Sequence, residues 1–225
     1  MEDDQRHQGE YCMLVKLFIL GLPGSGKSSI ARYISAYVRD RGWKCDHLND
    51  YRILRRMYKD DIKGEQFKPA AHDGFDVLDL TVCDNALKTL ASEVQNYNTQ
   101  EQKMLLIEFS RNDYRSAFRN FDQSSLQDAY FLYLNTTIDI CKERIKERII
   151  NPTTEDDYFV SDYIFNAYYN QDDGRCIPDI LVRDFQIEDS RVKIINNGCS
   201  LEEASEDMAP FINGIAPSYQ LARRY

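Results

Sequence analysis

The stretch LFILGLPGSGKSSIARYI, residues 17–34, decides the fold. An apolar run stops at Gly21. Pro23, Gly24 and Gly26 punctuate the next positions, and Lys27, Ser28 and Ser29 open an amphipathic segment. Gly21 through Ser28 fits the spacing G-x-x-x-x-G-K-[ST]. Glycines let a turn wrap so that successive backbone N–H groups point inward at phosphate oxygens. A helix starting near Lys27 adds its positive dipole end, the lysine reaches the β- and γ-phosphates, and the Ser28 hydroxyl is placed for Mg²⁺. Gly21, Pro23, Gly24, Ser25, Gly26, Lys27, Ser28 and Ser29 therefore read as the cradle of a nucleoside triphosphate, with ATP and Mg²⁺ as the expected cofactors.

Outward from this turn, strands and helices alternate. Residues 11–20 form a continuous β-prone run, suited to a strand buried on both faces. Apolar spacing predicts helices over 27–41, 49–58, 74–97, 112–121, 136–149 and 200–212, the last opened by the capping pattern Ser200-x-x-Glu203. Strands are expected at 42–48, 103–109, 129–135 and 191–197, and in DILV at 179–182. Residues 59–73 read as a polar turn region, and 150–178 as polar, acidic and tyrosine-rich, with one helix near 158–170. The alternation predicts an α/β layer fold with a mainly parallel sheet, whose ligands sit beyond the carboxyl ends of the strands. Residues 1–10 are expected to be a disordered tail, 11–215 one domain with a lid at about 150–175, and 216–225 a second tail.

The 225 residues carry a net charge of −9. That balance disfavours sequence-independent binding to nucleic acid or to an anionic membrane. A nucleic-acid end stays open as acceptor only through a local basic cleft; an oligomer is compatible with the sequence. The six cysteines include no CxxC pair, and several sit in apolar runs, where a thiol behaves as a small hydrophobe. The N-terminal MEDDQRHQGEY does not resemble a signal peptide, and no apolar run approaches the roughly 20 residues of a spanning helix, so a reducing cytoplasm is the expected location.

Four further motifs follow the cradle. The first is HLNDYRILRRM (47–57), where a carboxylate just after the second strand would face the γ-phosphate and could take a proton from an attacking hydroxyl. Asn49 or Asp50 would equally cap the following helix. The second is LLIEFSR (105–111), an apolar strand ending in an acid. The third is CKERIKERI (141–149), in which Arg144 and Arg148 share one helix face. The fourth is KIINNGCSLEE (193–203), a strand ending in a turn before the last helix.

Together, and in this order over nearly the whole chain, these motifs resemble the P-loop kinase superfamily: nucleotide kinases, adenylylsulfate kinases, zeta-toxin-like kinases and polynucleotide 5′-kinases. The resemblance implies a three-layer α/β sandwich with a mainly parallel five-stranded sheet and a helical lid. It implies that Asp50 is the base toward the acceptor and that Arg52 binds the acceptor, with a shift of one residue to Asn49 left open. It implies that Glu108 joins Ser28 at Mg²⁺, that Arg111 holds an anionic group of the acceptor, that Arg144 or Arg148 clamps the transferring phosphoryl group, and that Asn197 and Gly198 pack on adenine.

A GTPase would be expected to carry N-K-x-D, which this chain lacks, and DIKG (61–64) does not follow an apolar strand. His7, His47 and His72 show no metal-ligand spacing. The aromatic stripe in 156–169 fits packing better than base stacking. The expected function is ATP- and Mg²⁺-dependent transfer of the γ-phosphoryl group to a hydroxyl or phosphate of a small-molecule or nucleotide-like acceptor. The alternative is a non-catalytic or weakly hydrolytic ATP- or GTP-binding switch that contacts a protein or nucleic-acid partner.

Overall fold

The computed structural model describes residues 13–70, 74–150, 164, 165, 169, 176–198 and 200–218. β1 (Leu14–Gly21) is the central strand of a five-stranded sheet. It pairs in parallel with β5 (Lys103–Glu108) on one side and β6 (Ala129–Asn135) on the other. β2 (Lys44–Asn49) lies outside β5 and β7 (Val192–Asn196) outside β6, both parallel, so the order is β2-β5-β1-β6-β7. A strand stretch flanked on both sides and covered on both faces is apolar, which is why residues 17–20 of β1 are all leucine, phenylalanine or isoleucine and fully buried.

Side-chain alternation divides the interior into two layers. Leu17 and Ile19 face α1 (Lys27–Arg39) and α8 (Leu201–Ile215), packing with Ile30, Ile34, Met208 and Ile212. Phe18 and Leu20 face α3 (Thr81–Gln95), α4 (Tyr114–Phe118), α5 (Gln123–Gln127) and α7 (Ile177–Phe185). Phe18 stacks on Phe131 at 5.1 Å and meets Phe109, Phe118 and Phe121 edge-on. The result is a three-layer α/β sandwich. α2 (Asp50–Asp60) follows β2, and α6 (Ile138–Ile150) follows β6.

Several expected elements change. The helix placed over 74–97 begins at Thr81: Phe75–Val77 is instead strand β4, antiparallel to β3 (Phe67–Pro69). An aromatic cluster draws that segment out of the helix, with Phe75 stacked on Tyr58 at 4.9 Å and on Tyr51 at 5.8 Å, and edge-on to Phe67 at 5.3 Å. Asp79 then opens the helix by accepting from Thr81 N at 2.9 Å. Leu78, which follows β4, is exposed. DILV is one turn of α7 rather than a strand. Pro178 sits in its first turn, where a missing N–H is harmless, and Ile177, Ile180 and Leu181 are buried at helical spacing. The helix over 112–121 shortens to α4, and α5 appears after it.

The packed chain runs past the expected domain end at 215. Ala216 is fully buried, and the Pro217 carbonyl accepts from Trp43 Nε1 at 3.0 Å. The expected tail at 1–10 and the helix near 158–170 lie outside the described residues except for Ile164, Phe165 and Tyr169, as does most of the expected lid. Phe165 and Tyr169 pack with Leu22, Cys141 and Ile145, so these two members of the aromatic stripe serve packing. Among the described residues, no helix is long and apolar enough to cross a membrane.

Candidate active site

The turn between β1 and α1 is built so that only glycine fits at two of its corners. Gly24 has φ +80°, and a Cβ there would lie 2.4 Å from the carbonyl oxygen of Cys141 on α6. Gly26 has φ +97°, and a Cβ would lie 2.5 Å from Asn197 Nδ2. Gly26 is also the N-cap of α1 and offers no side chain to its first N–H groups; the first turn carries no acid. An uncapped helix start behind a bare backbone turn is an anion site.

Neighbouring elements hold this turn in place. Tyr114 Oη accepts from Gly21 N at 2.8 Å, bridging α4 to the end of β1. Asn197 Nδ2 donates to the Ser25 carbonyl at 2.6 Å, which ties the turn after β7 to the cradle. Gly198 faces Ile140 of α6. Pro23 and Ser25 are buried, and Ser29 is half-buried on α1. Lys27 is 4% exposed, and its Nζ donates to the carbonyls of Gly21 at 3.1 Å and Leu22 at 2.9 Å. Burial pushes its pKa down, while the nearby carboxylates of Glu108 and Asp50 oppose that shift.

Two carboxylates approach Lys27. Glu108, at the end of β5, accepts from Ser28 Oγ at 2.9 Å through Oε1, and its Oε2 lies 2.9 Å from His47 Nε2. Burial opposes ionisation of Glu108, but the neighbouring His47 imidazole and the charge of Lys27 prevail, so its pKa lies below the ordinary glutamate value. Asp50 opens α2. Its carboxylate is raised by burial, against the pull of Arg111, whose Nη1 lies 2.5 Å from Asp50 Oδ2. The same guanidinium donates to the carbonyls of Ser110 and Cys83, at 2.6 and 2.7 Å. Between the two readings for the start of α2, the helix cap is Asn49, whose Oδ1 accepts from Arg52 N at 2.9 Å, and the residue facing Arg111 is Asp50.

The cradle thus gathers Lys27, Ser28, Glu108 and Asp50. From α6, Arg144 brings a guanidinium nitrogen to 3.9 Å from where a Cβ on Gly26 would stand, and Arg148 is close enough to depress Lys27. Arg111 reaches the site through Asp50. Arg52 is exposed on the first turn of α2. Beside Arg111, a cavity of about 400 Å³ opens between α3 and α4, lined by Asp84, Lys88, Asn112, Ser116 and Asn120 over Leu87.

Sequence reasoning missed Tyr114 and His47. Nothing local marks Tyr114, which lies 93 positions from its partner. His47 carried a signal: it stands two residues before Asn49 in a strand, hence on the same sheet face as the residues at the strand end.

These groups fit a metal–nucleotide complex. A Cβ would fill the cradle, the helix start is free of a side-chain cap, and Ser28 and Glu108 pair two hard oxygens of the kind Mg²⁺ takes.

Comparison with known proteins bears on the fold. The family model described as Novel STAND NTPase 3 matches residues 15–154, more than half of the chain. Comparison with curated protein sequences finds no match. Among solved structures, Chaetomium thermophilum Kti12 in complex with ADP-AlF3 superposes with a TM-score of 0.56 at 15% identity, covering 89% of this chain and 99% of that one. A sugar kinase from Janibacter sp. gives a TM-score of 0.50 at 15% identity, covering 91% and 97%. The shared feature is the P-loop kinase-like fold.

Proposed function

We propose that this chain, which belongs to the Novel STAND NTPase 3 family, binds ATP with Mg²⁺ and transfers the γ-phosphoryl group to a hydroxyl or phosphate of a small-molecule or nucleotide-like acceptor. The observation that carries the reading is the placement of Asp50. A buried carboxylate with a raised pKa stands near the cradle lysine, at the carboxyl end of the sheet, and is held by Arg111. A base for a hydroxyl acceptor needs that position and that basicity.

The residues divide the work. The turn from Gly21 to Ser29 cradles the phosphates through backbone N–H groups and the start of α1. Ser28 and Glu108 would hold Mg²⁺, which offsets phosphate charge. Asp50 takes the proton of the acceptor hydroxyl as its oxygen forms a bond to the γ-phosphorus, and the bond from that phosphorus to the bridging oxygen breaks, leaving ADP with the electron pair. Lys27 stabilises charge on the phosphoryl oxygens, and Arg144 or Arg148 clamps the group in flight. Asn197 and Gly198 border the adenine, Arg52 and Arg111 the acceptor, and the cavity between α3 and α4 gives a small acceptor room beside Arg111. The proposed catalytic unit extends past residue 215 to include Ala216 and Pro217, which pack on it. The ADP-AlF3 in complex with the Kti12 neighbour supports nucleotide binding by a chain of this fold.

One observation favours a second reading, a nucleotide-binding switch with weak hydrolysis. Asp50 is engaged in a buried ion pair, and the carboxylate that contacts Ser28 is Glu108. Transfer of label from γ-labelled ATP, screened over nucleosides, nucleotides, adenylylsulfate, nucleotide sugars and 5′-hydroxyl oligonucleotides, separates the two. The kinase reading expects an acceptor whose labelling falls at least about 100-fold in Asp50→Asn while ATP still binds, in line with general-base contributions. Equal labelling by Asp50→Asn removes Asp50 as the base. ATP binding with no labelled acceptor favours the switch.

A further inference from the structure

The β2–β5 register places one more side chain behind the cradle. β2 and β5 pair so that Asn49 stands opposite Glu108 and His47 opposite Leu106. Facing residues in a sheet share a side, and so do residues two apart in one strand. His47, Leu106 and Glu108 therefore lie on the same face, and Leu106 packs with Ile30 and Ile34 of α1. That is the side from which α1 presents Ser28.

On this face Glu108 is 7% exposed and uses its two oxygens differently. Oε1 accepts from Ser28 Oγ at 2.9 Å, while Oε2 lies 2.9 Å from His47 Nε2. A buried carboxylate oxygen without a donor is costly and leaves the group free to rotate away. Neither Oε2 nor His47 Nε2 has a formed hydrogen bond, and the two atoms stand 2.9 Å apart, each the other's available partner. The acceptor at Nε2 selects the imidazole form that carries its proton there.

We propose that His47 is a positioning residue for the metal site. It donates from Nε2 to Glu108 Oε2 and so fixes the carboxylate in the orientation that presents Oε1 beside Ser28 Oγ. This inference rests on the reading of Ser28 and Glu108 as the oxygens that hold Mg²⁺. Its consequence is specific: loss of His47 weakens the coupling between divalent metal and nucleotide but leaves the phosphate cradle itself intact. Partners that orient a metal-ligating side chain typically change metal affinity by about 10- to 100-fold when removed.

The test is calorimetric titration of a non-hydrolysable ATP analogue, with Mg²⁺ and with EDTA, on wild type, His47→Leu, His47→Gln and Glu108→Gln. The coupling is the ratio of the two affinities. In His47→Leu it is expected to fall about 10-fold or more while affinity in EDTA holds. His47→Gln keeps a donor and is expected to recover most of the coupling. If His47→Leu does not fold, His47→Asn, polar but too short to reach Oε2, carries the same expectation. A coupling in His47→Leu equal to wild type, with Glu108→Gln impaired, overturns the role of His47 and spares that of Glu108. A wild-type coupling retained by Glu108→Gln, or no coupling in wild type, overturns the underlying metal reading and His47 with it.

Discussion

Gly24→Ala tests whether the cradle is as tightly built as its contacts state. The substitution adds one methyl carbon and two separable penalties. At φ +80° an alanine sits in the left-handed region, which costs roughly 1–2 kcal/mol. The new Cβ would also lie 2.4 Å from the Cys141 carbonyl oxygen and 3.1 Å from Cys141 Cα, both backbone atoms of α6 that cannot rotate aside. Relieving that contact requires the turn and α6 to separate by about 1 Å, an overpacking penalty of about 1–3 kcal/mol. The sum, about 2–5 kcal/mol, falls on the arrangement in which turn, α6 and nucleotide meet. At 1.4 kcal/mol per factor of ten, ATP affinity should drop by about 30-fold to several thousand-fold. Calorimetry with Mg²⁺ present reads the affinity, and thermal melting without nucleotide reads how much of the penalty falls on the fold. Gly214→Ala is the internal control, because a Cβ there meets nothing within 4 Å in α8; its stability should hold or rise by up to about 1 kcal/mol. A Gly24→Ala protein that binds ATP within threefold of wild type and melts at the same temperature refutes the reasoning.

Two further expectations follow from single contacts. Tyr114→Phe keeps a fully buried ring but strips the acceptor from Gly21 N–H; an unmet buried donor costs about 1–3 kcal/mol, or roughly 2–4 °C of melting temperature per kcal/mol for a chain of this size. An unchanged melting curve would mean that Gly21 N–H finds another acceptor. On the surface, hydrogen bonds from Tyr97 and Lys103 hold Asp46 below its ordinary 3.8, so below that pH the unfolded chain binds the proton first and stability falls with falling pH. Lys103→Met should make the acid-side loss shallower in denaturant titrations between pH 5 and about 3; an identical slope would show that Lys103 does not act on Asp46.

The sheet and the cradle could be read from the chain because both rest on local patterns: a wholly apolar strand, a glycine turn and a helical stripe lie within 17–34. The elements that went astray were decided by distant partners. Phe75 reads as helical by spacing until Tyr58 and Phe67 are known to be its neighbours. DILV is too short for period to separate one helical turn from a buried strand, and Pro178 was the cue that favoured the helix. The site divides in the same way. Lys27 and Ser28 follow from motif spacing, whereas which of Asn49 and Asp50 caps α2 turned on a hydrogen bond that only coordinates supply. The contacts of Tyr114 and His47 with the cradle cross from one element to another, 93 residues apart for Tyr114 and Gly21, and no window along the chain contains them.

The proposed function stands on the turn from Gly21 to Ser29 holding nucleotide phosphates, with Lys27 as the side chain that reaches them. Calorimetric titration of ATP with Mg²⁺ into wild type and Lys27→Ala addresses it directly. Saturable binding near one nucleotide per chain in wild type, weakened at least about 100-fold in the variant, is the expected result for a lysine that makes charge-assisted bonds to two phosphates. No association with wild type, or equal affinity in both proteins, would contradict it.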